Sequence, residues 1–416
     1  MRTLKFTSVS SEMIKITASI IIKTKEKENI TVVVSAVTKI TNRLIEICDL
    51  LIAKFDEAVT IYNEIKEKHL NIYNEILNNK ENHYYNKLIN ELKNLEDIIK
   101  IILKNLNEQI KAKILYYGEV LSSILVAFAI NEQIKSNNYL SKNLLICESY
   151  LNSECNFKES KETLNEWIKN IDLDEEIPVI TFDKENSYLF DRSDYVASLI
   201  RFLKADAIEI WTDVDIMSAD PRIVENPILW EELDYVCAEF ALVAKVLHPK
   251  TISPAQEKFI PVYIKNTFNP EFPTKICRKI DTIKVNIDTN QVLLNFIDPT
   301  MIGYYVFQAV KILNDEKISL DALATTETSF SISIKSKFFD KRLREKFLNI
   351  NDNFKVEIYE NITKVSIVDT IDDFDVLSKI KESIFMITSA YKSLTFFVNN
   401  NDSNELLKEI HKNIFK

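Results

Sequence analysis

A chain of 416 residues carries only two glycines, Gly118 and Gly303. Glycine averages about 7% of residues, so about 29 would be ordinary at this length. Glycine alone enters the left-handed backbone region without steric cost, and glycine loops let backbone N–H groups close around phosphate oxygens. A fold built from this sequence must make its tight turns with other residues. It also has little material for a phosphate-cradling loop.

The hydrophobic pattern is nevertheless that of a layered α/β chain. Residues 4–6 read as a strand, and 12–25 as a helix. The run ITVVVSA at 30–36 is continuous and β-branched, which marks a strand buried on both faces of a parallel sheet. A helix is expected over 42–54, and strand–helix alternation implies parallel pairing. Residues 56–112 are polar with apolar residues three and four apart, which predicts a helical insertion or lid with solvated charges. Tyr116-Tyr117-Gly118-Glu119 then leads into an apolar helix at 120–131. Further strands are expected at 178–181, 207–211 and 262–265.

After about residue 280 the pattern changes. Strand 292–297, helix 305–313 and strand 329–334 form one unit. Strand 365–368, helix 375–384, strand 393–398 and helix 403–414 form a second. Each reads as a small α+β sandwich, and two in tandem suggest a regulatory module with a small ligand between them. The division is thus 1–280, with its insertion at about 56–112, and 281–416.

Charge and composition exclude several classes. The net charge of −10 argues against a nucleic-acid binder, whose footprint is a basic face. No run of eighteen apolar residues predicts a membrane span, and the N-terminus lacks the apolar core of a signal peptide. Five cysteines without a CxxC pair fit a reduced, cytoplasmic protein. Four histidines show no ligand spacing, so no resident metal site is expected.

Three ordered motifs carry a resemblance. Ile210-Trp211-Thr212-Asp213-Val214-Asp215, continuing through Met217 to Arg222, resembles W-T-D-V-D-G-I-x-x-A-D-P-R. Ala244-Lys245-Val246-Leu247-His248-Pro249 resembles G-A-K-V-L-H-P, and Ile264-Lys265-Asn266-Thr267-Phe268-Asn269-Pro270 resembles I-K-N-T-F-N-P. These are motifs of aspartate kinases. Lys5-Phe6, Val34-Ser35-Ala36 with Thr41-Asn42, Tyr117-Gly118-Glu119 and Arg192-Ser193-Asp194-Tyr195 are similar to the family's other signatures. Asp321 to Glu327 and Met386 to Val398 resemble its paired C-terminal ACT domains, of the monofunctional, lysine-sensitive type.

The resemblance implies an amino-acid-kinase-type three-layer α/β sandwich followed by two α+β ACT domains. It implies transfer of the ATP γ-phosphoryl group to the side-chain carboxylate of L-aspartate, with magnesium accompanying ATP. Lys5 would be the phosphate-binding lysine, since phosphoryl transfer needs its charge neutralised, and Asp194 would complete the catalytic pair. Ser35, Thr41, Glu119, Arg192 and Ser193 would hold aspartate, with Arg192 gripping a carboxylate bidentately. Thr212, Asp213, Met217, Arg222 and Lys245 would form the nucleotide site, at the carboxyl edge where open α/β sheets bind ligands. Met301, Gly303, Ser319, Leu320, Asp321, Thr326 and Glu327 would bind lysine as allosteric inhibitor, with a homodimer formed through the ACT domains. Gly303, where a loop enters a helix, suits close backbone approach to such a ligand.

Plainer readings stand beside these. Lys5 also fits a solvated strand end, Ser193 and Asp194 fit helix N-caps, and Arg222 fits a surface ion pair. The motifs also depart from the family pattern. Phe6 meets Thr7, and Arg192 meets Ser193, where two glycines would stand. Asp215–Ile216, Val243–Ala244 and Pro273–Thr274 each lack one. A chain without these glycines also reads as a catalytically impaired pseudokinase that serves as an amino-acid-binding regulatory protein.

Overall fold

The computed structural model describes residues 1–7, 9, 11–77, 82–101, 107–140, 157–181, 205–219, 221–235, 238, 255–277, 284–297, 302–316, 318–350, 355–368, 384–390, 393–399 and 403–414. They fall into two compact units, Met1–Asp215 with Val246–Arg278, and Ile216–Lys245 with Lys279–Lys416.

The first unit opens with β1 (Arg2–Phe6), α1 (Ser11–Lys25), β2 (Ile30–Val34) and α2 (Ile40–Leu50). The long helices α3 (Phe55–Leu77), α4 (His83–Ile101) and α5 (Glu108–Asn131) follow, then β3 (Ser136–Leu140), α6 (Phe157–Lys169), β4 (Ile177–Thr181) and β5 (Ala207–Thr212). Next in the chain is β6 (Glu232–Asp234), which groups with the second unit, and then β7 (Val262–Asn266) and β8 (Thr274–Cys277). Seven strands of the first unit lie in the order β3-β4-β2-β1-β5-β7-β8. All neighbours are parallel except β7 and β8. Every residue of β2 is buried, as its unbroken apolar run requires of a central parallel strand.

Leu4, Phe6, Val32, Val34 and Trp211 join the apolar residues of α1 to α5 in one core. The insertion is therefore no detached lid. Tyr62, Tyr73, Leu88, Leu92 and Leu95 sink its helical stripe into that core, and only the opposite faces carry the charges. The stretch Lys113–Asn131 of α5 is long and apolar enough to cross a membrane, yet most of it is buried inside the protein.

Helix α5 also begins earlier than the pattern suggests. Asn107 caps it by accepting from the Ile110 N–H at 3.0 Å, so Tyr116 to Glu119 lie within the helix. Gly118 is there for contact and has no left-handed backbone. A Cβ on it would stand 3.0 Å from Ala36 Cβ and 3.2 Å from Leu44 Cδ1.

The second unit contains β9 (Lys284–Ile297), α7 (Ile302–Asp315), β10 (Ala322–Thr325), β11 (Ser329–Lys335), α8 (Lys341–Leu348), β12 (Lys355–Val368), β13 (Ile384–Ala390), β14 (Ser393–Asn399) and α9 (Ser403–Ile414). The two expected sandwiches share one antiparallel sheet, ordered β10-β11-β9-β12-β14-β13. Strands β9 and β12 have 14 residues each and run through both halves. Asn290 (φ 66) and Asn361 (φ 57) stand in the left-handed region at the two register shifts between these strands. Asparagine tolerates that conformation better than most residues, and a bulge needs it. Helices α7 and α8 pack on Val292, Leu294, Phe330 and Ile332, and α9 packs on Val365, Ile367, Phe396 and Val398. Ile384, expected to end a helix, instead begins β13; residues 375–383 lie outside the described residues.

Two predictions follow from packing and burial. Gly118→Ala overpacks the α5 contact and should destabilise the protein by about 1–3 kcal/mol. Gly303→Ala, whose Cβ meets nothing within 4 Å, should be neutral or stabilise by up to about 1 kcal/mol. Urea denaturation of the two variants checks the contrast.

His69 is fully buried on α3, with Nδ1 2.7 Å from the Ile65 carbonyl and Nε2 without a hydrogen-bond partner. Burial pushes its imidazole down to about 4, aided by Lys68 and opposed by the Ile65 carbonyl. Between an ordinary value near 6.5 and about 4, the unfolded chain binds the extra proton, so stability should fall as pH drops through that window. His69→Leu should flatten this part of the stability–pH curve in thermal unfolding.

Candidate active site

The carboxyl ends of four parallel strands meet at one edge. Phe6 pairs with Val34 and with Trp211, and Thr212 pairs with Asn266. The residues that leave this edge are Thr7, Ser35, Asp213 and Thr267. Lys5 lies one position inside it, buried at 5% exposure between Val33 and Ile210. A solvated strand-end lysine would not be so enclosed.

The chain turns off β1 without glycine. The Thr7 N–H donates to the Trp211 carbonyl at 3.0 Å, and its Oγ1 donates to the same oxygen at 3.1 Å. The Ser35 N–H donates to the Phe6 carbonyl at 2.9 Å. These amides complete the sheet ladder, so neither is directed outward to form a phosphate nest. Of the described residues here, Lys5 offers a basic side chain one position inside the edge.

The loop after β2 carries Ser35, buried, and leads to Thr41 in the first turn of α2. Val9 and Val37 extend the pairing by one bridge, with the Thr38 N–H donating to the Val9 carbonyl at 2.8 Å. Lys39 then takes φ 71 and ψ −9 as the residue before α2. A lysine thus performs a turn that usually falls to glycine. Lys68 donates to the Thr38 carbonyl at 2.8 Å, and burial and then Lys39 lower its pKa. Glu119 is buried on α5 beside Gly118, which touches Ala36 of this same loop. The structure therefore brings Lys5, Ser35, Thr41 and Glu119 to one region of the first unit.

At the end of β5, Thr212 is buried, and its Oγ1 donates to Asp213 Oδ1 at 3.3 Å. The Thr267 N–H and Oγ1 both donate to the Thr212 carbonyl, at 2.8 and 3.0 Å. This clamp fixes where Asp213 leaves the sheet. Below it lies a group the sequence reading missed. Glu209 is 1% exposed. It pairs with Arg2 and with Lys265 at 2.7 Å, and accepts from Trp211 Nε1 at 3.0 Å. Removing both cations would leave a buried, unpaired carboxylate, which is strongly destabilising, about 3–5 kcal/mol. The signal was available as one acid inside the apolar strand AIEIWT.

Met217 and Arg222 fall in the segment that groups with the second unit. Met217 bridges Leu229, and Arg222 is exposed. Arg192, Ser193, Asp194, Lys245 and Met301 lie outside the described residues. Gly303 is the second residue of α7, and the space around it is open, so its own packing does not demand glycine. Ser319, Leu320 and Asp321 precede β10, and the Asp321 N–H donates to the Ser333 carbonyl at 2.9 Å. Thr326 and Glu327 follow β10. Thr326 Oγ1 accepts from the Ser329 N–H at 3.0 Å and closes the hairpin. Among the described residues no group of three or more His, Cys, Asp or Glu could hold a metal ion.

The amino acid kinase family model matches residues 6–266. Aspartokinase 3, chloroplastic, of Arabidopsis thaliana is 27% identical over 259 residues, 54% of this chain and 45% of that protein. Lysine-sensitive aspartokinase 3 of Escherichia coli is 27% identical over 249 residues, 54% of this chain and 56% of that protein. The chain thus spans about half the length of these curated relatives. The crystal structure of E. coli aspartokinase III in complex with aspartate and ADP is similar at a TM-score of 0.85, with 20% identity and 100% of both chains covered.

The left-handed Lys39 has a measurable consequence. A non-glycine residue there costs about 1–2 kcal/mol, partly offset for glycine by its larger unfolded-state entropy. Lys39→Gly should stabilise the protein by up to about 1 kcal/mol, and Lys39→Val should destabilise it. Equal urea midpoints for the three proteins would contradict the strain.

Proposed function

This chain belongs to the amino acid kinase family, and from that premise we propose that it phosphorylates the side-chain carboxylate of L-aspartate with ATP. The observation that carries the reading is Lys5, enclosed at the carboxyl edge of the sheet next to the strands that deliver Ser35 and Asp213. A fixed cation in a dry site neutralises the transferring phosphoryl group far better than one in water. The aspartokinase names of the relatives and the aspartate and ADP held by the similar crystal structure support the choice of substrates.

In this reading Thr212 and Asp213 belong to the nucleotide side, and Ser35, Thr41 and Glu119 to the aspartate side. Glu119 is suited to hold an ammonium group. Magnesium, when bound with ATP, supplies further neutralisation of the phosphates. The backbone supplies less than usual, because the Thr7 and Ser35 amides bond within the sheet. Arg192, Ser193, Asp194, Met217, Arg222 and Lys245 keep the roles that the motif resemblance implies.

Residues 1–280 would be the catalytic part and 281–416 the regulatory part. Lysine would be the feedback inhibitor, a choice supported by the lysine-sensitive relative. The regulatory residues are Met301, Gly303, Ser319, Leu320, Asp321, Thr326 and Glu327, working in a cytoplasmic homodimer joined through the ACT domains. A second reading is favoured by the sheet-bound Thr7 amide, namely a non-catalytic amino-acid-binding regulatory protein.

Lys5→Met tests the proposal. Aspartate-dependent ADP release by the full chain should fall by about three orders of magnitude or more, with the cooperative unfolding transition retained. Turnover within a few-fold of the unmodified chain would remove Lys5 from this role.

A further inference from the structure

The motif Ile264 to Pro270 ends β7 and opens the turn into β8. It contributes no residue to the substrate and nucleotide sites assigned above. The turn is tightly built. Asn266 pairs with Thr212, and the Thr267 N–H and Oγ1 both hold the Thr212 carbonyl, at 2.8 and 3.0 Å. Asn266 Oδ1 accepts the Phe268 N–H at 3.0 Å, and the Asn266 carbonyl accepts the Asn269 N–H at 3.2 Å. These hydrogen bonds fix the backbone of Phe268 one residue beyond the contact with the end of β5. Its side chain is left outside: Phe268 is 64% exposed, and its ring has no aromatic partner among the described residues.

A single exposed phenylalanine is ordinary on a protein surface. What sets this one apart is its place in the strand order. Across the carboxyl edge of the first unit the strands run β2-β1-β5-β7. In the reading above the aspartate side lies at β2, where Ser35 and Thr41 follow the strand. Lys5, at the point of transfer, is on β1, and Thr212 and Asp213 end β5 on the nucleotide side. A nucleotide whose γ-phosphate meets Lys5 and faces aspartate over β2 must extend its other end away from β2. That direction leads across β5 to β7. Neighbouring strands lie about 4.8 Å apart, so β7 is about 10 Å from β1, a span that the triphosphate and ribose bridge. The base then arrives at the turn that presents Phe268.

We propose that Phe268 is the stacking platform for the purine base of the nucleotide, a subsite formed by the first unit alone. Every base has a π-face, so the ring supplies affinity for the nucleoside part and none for the phosphates. The clamp on Thr212 makes it a rigid surface, so little ordering is needed when the base arrives. The inference rests on the kinase reading above and locates the base within it.

The test is calorimetric titration of the full-length protein with magnesium–ATP and, separately, with magnesium tripolyphosphate, which carries no base. Phe268→Ala should weaken ATP binding about tenfold, the scale of one lost base–aromatic stack, and leave tripolyphosphate binding within about twofold. Phe268→Trp should bind ATP within about threefold of the unmodified chain, because the indole offers a flat face of the same kind. Phe272→Ala removes a ring that is 56% exposed on the arm of the turn leading away to β8, and should leave both affinities unchanged. In steady state Phe268→Ala should raise the KM for ATP and spare kcat and the KM for aspartate, as loss of uniform binding does. Equal weakening of ATP and tripolyphosphate means that the variant shifted the β5 edge, and it overturns the proposal. So does unchanged ATP affinity in a folded Phe268→Ala protein, or a loss of the same size in Phe272→Ala. Should tripolyphosphate bind too weakly to titrate, the kinetic split decides, and a matching fall in kcat overturns the proposal. Should Phe268→Ala not fold, Phe268→Leu, apolar but without a π-face, decides on the same comparison. If the unmodified chain binds no magnesium–ATP, the kinase reading falls and this inference with it. If that chain binds ATP and Phe268→Ala binds it equally well, this inference alone falls.

Discussion

The contact between Gly118 and Ala36 is the constraint on which the first unit depends. It lets α5 lie directly on the loop after β2, with Leu44 and Ile40 of α2 alongside. Three candidate site residues lie around that one approach. Ser35 precedes Ala36 in that loop, Thr41 lies in the first turn of α2, and Glu119 follows the contact by one residue. A side chain at position 118 would crowd Ala36 and Leu44, so the helix or the loop would have to give. A chain that keeps only two glycines has kept one here, for packing density and not for backbone freedom.

The left-handed positions are filled by other means. Among the described residues Lys39, Asn226, Phe259, Asn290 and Asn361 have positive φ, and no glycine does. The fold therefore carries small local strains at its turns and bulges, and the surrounding packing must hold them. The same economy changes the chemistry of the site. At the end of β1 the Thr7 amide bonds within the sheet and is not presented to a phosphate. Lys5 becomes the residue on which catalysis by this chain would turn.

Much of this was legible in the sequence, for reasons that particular residues show. The ITVVV run announces a central parallel strand because burial on both faces leaves no polar alternation. The motif at 210–222 fixes the end of β5 because Thr212 and Asp213 must leave an apolar strand at a defined edge. Other features were not legible. The beginning of α5 was misplaced because Gly118 reads as a break when its real partner, Ala36, is distant in sequence. The shared sheet was divided into two because DTNQ and YENITK look like turns, whereas Asn290 and Asn361 carry β9 and β12 through them as bulges. The Ser218–His411 pair spans 193 positions, and no local pattern encodes it. Arg192, Ser193, Asp194, Lys245 and Met301 are placed by motif alone.

The central claim is that side chains at a glycine-poor edge still carry out phosphoryl transfer to a carboxylate. The most direct measurement traps the acyl phosphate product with hydroxylamine, using the full chain with ATP, magnesium and L-aspartate. The account predicts aspartyl hydroxamate that accumulates with time and depends on all three. Binding of ATP and aspartate with no hydroxamate formed would contradict it and leave a regulatory protein on a kinase scaffold.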